Sequence, residues 1–242
     1  MVTEPLSPES WRATEPSPIV PTVLSRGIAP NANLISLRVL DDNGPGTDSN
    51  VINAINFAIA NKAKYNIRVM NLSLGRPMAS SYTNDPLCQA VQKARNAGIV
   101  VVVEAGNEGR NNTKSTSGYG TIASPGNSPY VITIGAYNTL STLPLGDDEM
   151  TSYSSKGPPI LITSSNPTWL RPATGSCRSA LGSYLDTLHL DNIVPVSAYT
   201  TTTRTVGASH YFQLSGTSFA APMFSGAAAL LIQKTRVSLL TK

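Results

Sequence analysis

A chain of 242 residues with 40% hydrophobic and only 13% charged residues can bury one sizeable core and is too apolar to be disordered. Its net charge of +4 is spread without a basic block, which argues against nucleic acid as a partner, and no apolar run is long enough to span a bilayer. The 18 Gly and 18 Pro mark a loop-rich chain, and its two distant cysteines, Cys88 and Cys177, permit a disulfide without implying one.

Residues 1–26 are Pro-rich, carry charges and lack an apolar h-region, so no signal peptide is visible. Residues 34–39 alternate and are rich in Ile, Leu and Val, which predicts a strand. Asp48-Ser49 offers a helix cap, and Val51, Ile55, Ala58 and Ile59 then fall on one helical face. Residues 67–72 read as the next strand. Asp85-Pro86 supplies a cap and a first-turn proline for a second helix, with Leu87, Val91 and Ala94 as its apolar stripe and Gly98 as its stop. Residues 99–103 are an unbroken apolar run, as in a strand buried on both faces, and residues 131–134 are another. Asn111-Asn112-Thr113 is a glycosylation sequon that has meaning only in a secretory eukaryotic setting. Strands alternating with helices imply an α/β fold with a doubly wound, mainly parallel sheet flanked by helices.

Three segments carry the chemistry. Ser73-Leu74-Gly75 and Ala105-Gly106-Asn107 each follow the carboxyl end of a predicted strand, where open α/β sheets bind ligands. The third is Gly216-Thr217-Ser218-Phe219-Ala220-Ala221-Pro222, then Ser225-Gly226 and an apolar run to Ile232. It places a serine between a strand-like stretch at 211–214 and a helix, beside amides without intrahelical partners and the positive end of the helix dipole. That setting suits a nucleophile or one wall of an oxyanion hole. Taken alone, Gly-Thr-Ser is more often an ordinary N-cap and Gly106-Asn107-Glu108-Gly109 an ordinary turn.

Together, and in this order, the three segments resemble the subtilisin-like serine proteases (subtilases, peptidase family S8), apart from Met223-Phe224, where that family often has His-Val. The resemblance implies that Ser218 attacks the scissile carbonyl. It implies that Asn107, with the Ser218 backbone N–H, binds the oxyanion. Ser73, Leu74 and Gly75 would then pair with the substrate backbone, and Ala105 and Gly106 would line the main specificity pocket. Ser124-Pro125 matches a turn near that pocket where the family often has a cis bond. The resemblance further implies a peptide or protein substrate, secretion and no cofactor. Calcium is common in the family, but its usual ligand loop falls in absent or altered sequence, so no metal site is assigned.

Two family features are missing. Neither the Asp-Ser/Thr-Gly motif nor the His-Gly-Thr motif of the triad occurs, and the only histidines, His189 and His210, lack the helical setting of the family's base. After Gly157-Pro158 the family's KPDxVAPG strand is replaced by residues 165–178, which have no strand pattern. The genetic code relates the two gaps. Residues 165–178 can be coded so that the neighbouring frame reads VKPDLVAPGNRIVS, and residues 1–11 so that it reads HGHGTPVAGIV. Residues 1–26 and 159–183 are therefore read as out-of-frame segments around an N-terminally truncated, partial peptidase domain at 27–242. The expected function is a serine endopeptidase fragment, inactive as written. The alternatives are a non-catalytic, peptide-binding pseudoenzyme of the same fold, and an unrelated α/β enzyme with a chance Gly-Thr-Ser cap.

Overall fold

The computed structural model describes residues 27–41, 44–113, 115–138, 148–157, 168–172, 176–179 and 211–240. Strands β1 (Val69–Leu72), β2 (Val100–Glu104) and β3 (Ile132–Asn138) form a parallel ladder in that order. Val69 pairs with Val100 and Leu72 with Val103; Val102 pairs with Ile132 and Glu104 with Ile134. Their carboxyl ends thus open on one edge. The two-residue strand β4 (Glu149–Met150) pairs antiparallel with the end of β3.

Two helices precede β1. Helix α1 (Asp48–Ala60) starts at Thr47, whose hydroxyl accepts from the Asn50 N–H at 3.2 Å, one residue before the Asp48-Ser49 pair expected to cap it. Asp48 instead occupies the first turn, where a carboxylate meets the positive end of the helix dipole. A single turn, α2 (Lys62–Tyr65), follows. Helix α3 (Pro86–Asn96) is capped by Asp85 and ends before Gly98, which takes the positive φ of +78° that favours glycine.

Alternation along β2 divides the interior in two. Val101 and Val103 pack with Leu72, Val51, Ile55, Leu87 and Val91, the stripes of α1 and α3. Val102 points the other way, into a cluster with Ile134, Ala136, Ala220 and Ala221. The last two belong to α4 (Thr217–Leu240), the long helix covering the opposite sheet face. Burying a Val- or Ile-sized side chain contributes about 1.5–3 kcal/mol. The completely buried Val91, Val102 and Ile134 therefore hold the layers together.

Two expectations are corrected. Residues 32–39 form no strand; only Leu40 bridges, to Gly46, and Leu34 is 62% exposed. A strand needs a ladder partner, and apolar alternation without one leaves an extended, solvated segment. Conversely, residues 165–178, expected to carry no strand, contain β5 (Thr168–Pro172), parallel to β3 over Thr133–Tyr137, and the start of β6 (Ser176–Ser179), antiparallel to β7 (Tyr211–Leu214). Ladder bonds join main-chain groups, so the open edge of β3 accepts a segment that lacks apolar alternation. Thr168 and Trp169 also favour extended backbone.

Cys88, on α3, is a free thiol with 1% exposure, donating to Asn127 Oδ1 at 3.2 Å. Burial pushes its pKa up to about 12, with the Asp85 charge adding to the effect. With Cys177 replaced by Ser, the native chain should react with a thiol reagent at pH 8 far more slowly than the urea-unfolded chain. Equal rates would show that α3 does not close over Cys88.

Candidate active site

The site is assembled where the carboxyl end of β2 meets the first turn of α4. Glu104 has the same parity as Val102, so its side chain points toward α4, and it is only 8% exposed. The next residues turn away from the sheet: Gly106 has φ +99°, and a Cβ there would sit 3.0 Å from Ser155 Oγ. Asn107 then projects over the helix start.

Five residues, Glu104 at the end of β2, Gly106 and Asn107 in the loop after it, and Thr217 and Ser218 on α4, share one network. The Thr217 N–H, an orphan amide of the first turn, donates to Asn107 Oδ1 at 3.0 Å. Since an N–H can only donate, this contact fixes the Asn107 oxygen toward the helix and leaves Nδ2 as its donating end. Thr217 Oγ1 accepts from the Gly106 N–H at 3.2 Å and lies 3.1 Å from both Asn107 Oδ1 and Glu104 Oε2. Ser218 Oγ donates to the same Glu104 Oε2. Burial pushes the Glu104 carboxyl above its usual range, and the two hydroxyl donors pull it part of the way back. Among the described residues, neither the Ser218 N–H nor Asn107 Nδ2 has a protein partner. Within the described residues, Asn107 Nδ2 and the Ser218 N–H are thus donors of this network that no protein group takes up.

Pro222 explains a further contact. A proline inside a helix has no N–H for the carbonyl four residues earlier, here that of Ser218. That carbonyl accepts instead from Ser73 Oγ at 2.8 Å. The hydroxyl of Ser73, just past β1, thus ties the first sheet edge to the turn that carries Ser218.

The facing wall is built by a charged cluster. Arg76 exchanges backbone hydrogen bonds with Ser124 at 3.0 and 2.9 Å. Its guanidinium bonds Asp48 and Asp85, and these bonds, led by the one to Asp48, raise its pKa against the opposing effect of burial. Asp85 has no exposure and accepts from Arg76 at 3.0 Å, from Ser124 Oγ at 2.8 Å and from the Leu87 N–H at 2.9 Å. This fixes the turn that contains the cis Ser124–Pro125 bond. A Cβ on Gly75 would lie 2.9 Å from Ala123 Cβ, so the strand-end segment and the turn nearly touch.

The structure thus brings Ser218, Asn107 and Ser73 into one connected cluster, with Gly106 bonded to Thr217 and Ala105 at the buried root of the loop. Leu74 packs against the α1–α3 core, and Gly75 lies against the 123–124 turn. His189 and His210 lie outside the described residues. Sequence reasoning missed Glu104, Thr217 and Arg76, and read Asp85 only as the helix cap that it is. The signal for Glu104 was a lone carboxylate ending an otherwise apolar run. A separate concavity of about 340 Å³ between residues 38 and 50 contains none of these groups.

A profile of the subtilase family matches residues 12–239. Among curated proteins, the chain is similar to serine protease AprX of Bacillus subtilis (strain 168), with 38% identity over 221 residues, covering 86% of this chain and 44% of AprX. Subtilisin E of the same organism is 33% identical over 208 residues, covering 86% of this chain and 41% of that relative. The chain therefore spans less than half the length of these relatives. In fold it is similar to sphericase, with a TM-score of 0.59 at 24% identity over 83% of this chain and 54% of that one. It is also similar to a cold adapted subtilisin-like serine proteinase, with a TM-score of 0.56 at 24% identity over 86% and 56%. These matches set aside an unrelated α/β enzyme with a chance cap.

Replacing Asp85 by Ala removes a helix cap and strands both the Ser124 hydroxyl and part of the Arg76 charge. The expected loss is about 2–4 kcal/mol in urea unfolding, discounted because Arg76 remains partly solvated and keeps Asp48. Asp85→Asn, which retains a capping oxygen, should lose roughly half as much. A loss below about 1 kcal/mol for the alanine variant would mean that this cluster does not hold the wall.

Proposed function

The chain belongs to the subtilase family, and from that premise we propose that it is a serine endopeptidase domain in which Ser218 is the nucleophile. The observation that carries the proposal is the Asn107 amide, whose Oδ1 accepts from the N–H of Thr217, the residue before Ser218, so that Nδ2 is left as its donating end. In this reading Ser218 Oγ attacks the carbonyl of a peptide bond. The oxyanion that forms is met by Asn107 Nδ2 and the Ser218 N–H, donors that need no rearrangement at that moment. Ser73, Leu74 and Gly75 hold the substrate backbone, and Ala105 and Gly106 line its main pocket. The substrate class is peptide or protein, and secretion is the proposed location, on family resemblance.

The chain as written contains neither triad motif that would supply the His base and its orienting Asp. We therefore propose that it turns over peptides negligibly, and that residues 1–26 and 159–183 are out-of-frame translations. The support for the latter is the pair of family strings recovered one frame over. Genomic DNA whose codons do not yield those strings removes it. If the DNA has no such motifs in any frame, the domain is a peptide-binding pseudoenzyme.

The activity prediction follows from the base. In subtilisin, loss of the base costs about 10⁶ in kcat, a scale carried over here from that relative. Restoring both frames and supplying the Asp-bearing segment should give Ser218-dependent turnover of a chromogenic peptide. Asn107→Ala in that repaired enzyme should then lower kcat by about 10²–10³ with little change in KM, again the subtilisin scale. A KM effect with unchanged kcat would assign Asn107 to substrate binding instead. Peptide turnover by the unrepaired chain that depends on Ser218 would overturn the proposed inactivity.

A further inference from the structure

We propose that Glu104 is the proton acceptor for Ser218 in the chain as written, so that the two form a carboxylate–hydroxyl dyad able to open reactive phosphonyl or ester centres. The proposal rests on the reading of Ser218 as a nucleophile. Its basis is geometric. Ser218 Oγ donates to Glu104 Oε2, and Thr217 Oγ1 lies 3.1 Å from the same oxygen. Glu104 is buried, while Ser218 is only partly so. The hydroxyl therefore stands between a shielded carboxylate and the open edge of the sheet.

A capping role would explain a carboxylate under a helix start equally well, but the contacts differ from those of a cap. A capping oxygen takes first-turn amides. Here the Thr217 N–H goes to Asn107 and the Phe219 N–H to the Gly216 carbonyl at 3.0 Å, while Glu104 receives two side-chain hydroxyls. Strand parity explains how it comes to be there, since a residue two after Val102 must face α4. The dipole of α4 favours its charged form. Burial opposes that form and makes the carboxylate a stronger base than an exposed one.

The step balances. With a fluorophosphonate, Ser218 Oγ bonds to phosphorus, its proton passes to Glu104 Oε2, and the P–F bond breaks with fluoride carrying off the electron pair. With an activated ester, the oxyanion collapses, the C–O bond breaks, and the proton leaves Glu104 with the departing oxygen or to solvent. A peptide amide lacks such a leaving group, which is consistent with negligible peptide turnover.

The test is the rate of covalent labelling of the full chain by a fluorophosphonate, followed by intact mass between pH 4 and 9. Labelling should be stoichiometric and absent in Ser218→Ala. Glu104→Gln should label at least about 10-fold more slowly at pH 7. The wild-type rate should rise with one ionisation above the ordinary carboxylate range, because only deprotonated Glu104 can take the proton; Glu104→Gln should lack that rise. A purely structural Glu104 would not move the pH profile. Glu104→Gln labelled at the wild-type rate, or with the same rise, overturns the dyad while Ser218→Ala still supports the nucleophile. Labelling that persists in Ser218→Ala overturns the nucleophile itself. Wild-type protein that does not label also overturns the dyad, and the repaired enzyme then decides on Ser218. If Glu104→Gln does not fold, Glu104→Asp carries the test: the shorter carboxylate should slow labelling and keep the pH step.

Discussion

The abutment of the carboxyl end of β2 on the first turn of α4 is the contact on which the candidate site depends. A helix start has amides with nothing to bond, and a strand end has side chains that must leave the sheet. Here each supplies what the other lacks. Asn107 takes the Thr217 amide, Gly106 donates to the Thr217 hydroxyl, and Glu104 accepts from Thr217 and Ser218. Thr217 is completely buried, so the bonds of its hydroxyl to Gly106 and Glu104 form away from water, where an unmade one would be costly. Thr217 is bonded on both sides, its N–H to Asn107 and its hydroxyl to Glu104 and Gly106, and so ties the loop after β2 to the turn that carries Ser218.

The second support comes from an apparent defect. Pro222 breaks the hydrogen-bond ladder of α4 one turn after Ser218. Propensity alone counts this as destabilising. The released Ser218 carbonyl, however, is the group that Ser73 reaches from the end of β1. The proline therefore converts an intrahelical bond into a tie between helix and sheet. Ser73 is consequently not free to face a substrate with its hydroxyl, and its proposed share in backbone recognition falls to its main-chain groups.

Much of this was legible in the sequence because it follows from periodicity and caps. The Val51, Ile55, Ala58 stripe, the Asp85-Pro86 start and the 99–103 run each have one reading, and the parallel sheet follows from their order. What failed depended on partners. Residues 34–39 have strand chemistry but no ladder, whereas 168–172 have little strand pattern and lie beside an open edge of β3. Pairing is a property of two segments, and single-segment patterns do not contain it. Glu104 was illegible for a related reason. Its role depends on which helix covers that face of β2, and α4 lies more than a hundred residues away in the chain.

The placement of Glu104 also carries an electrostatic consequence. A buried carboxylate beside the proposed oxyanion hole opposes the second negative charge that attack would create. If an external base took the Ser218 proton, both charges would coexist. If Glu104 takes it, the carboxylate becomes neutral as the oxyanion forms, and the site holds one negative charge throughout. The positive end of α4 serves first the carboxylate and then the oxyanion, with only a proton moving between them. A His base restored to the site would start neutral and end cationic, leaving Glu104 charged beside it. The same carboxylate would then stabilise the imidazolium and oppose the oxyanion, so its effect on the repaired enzyme depends on which of the two lies nearer. Where no His base reaches Ser218, as proposed, there is no such competition, and proton transfer within the pair is the route that keeps the buried charge constant.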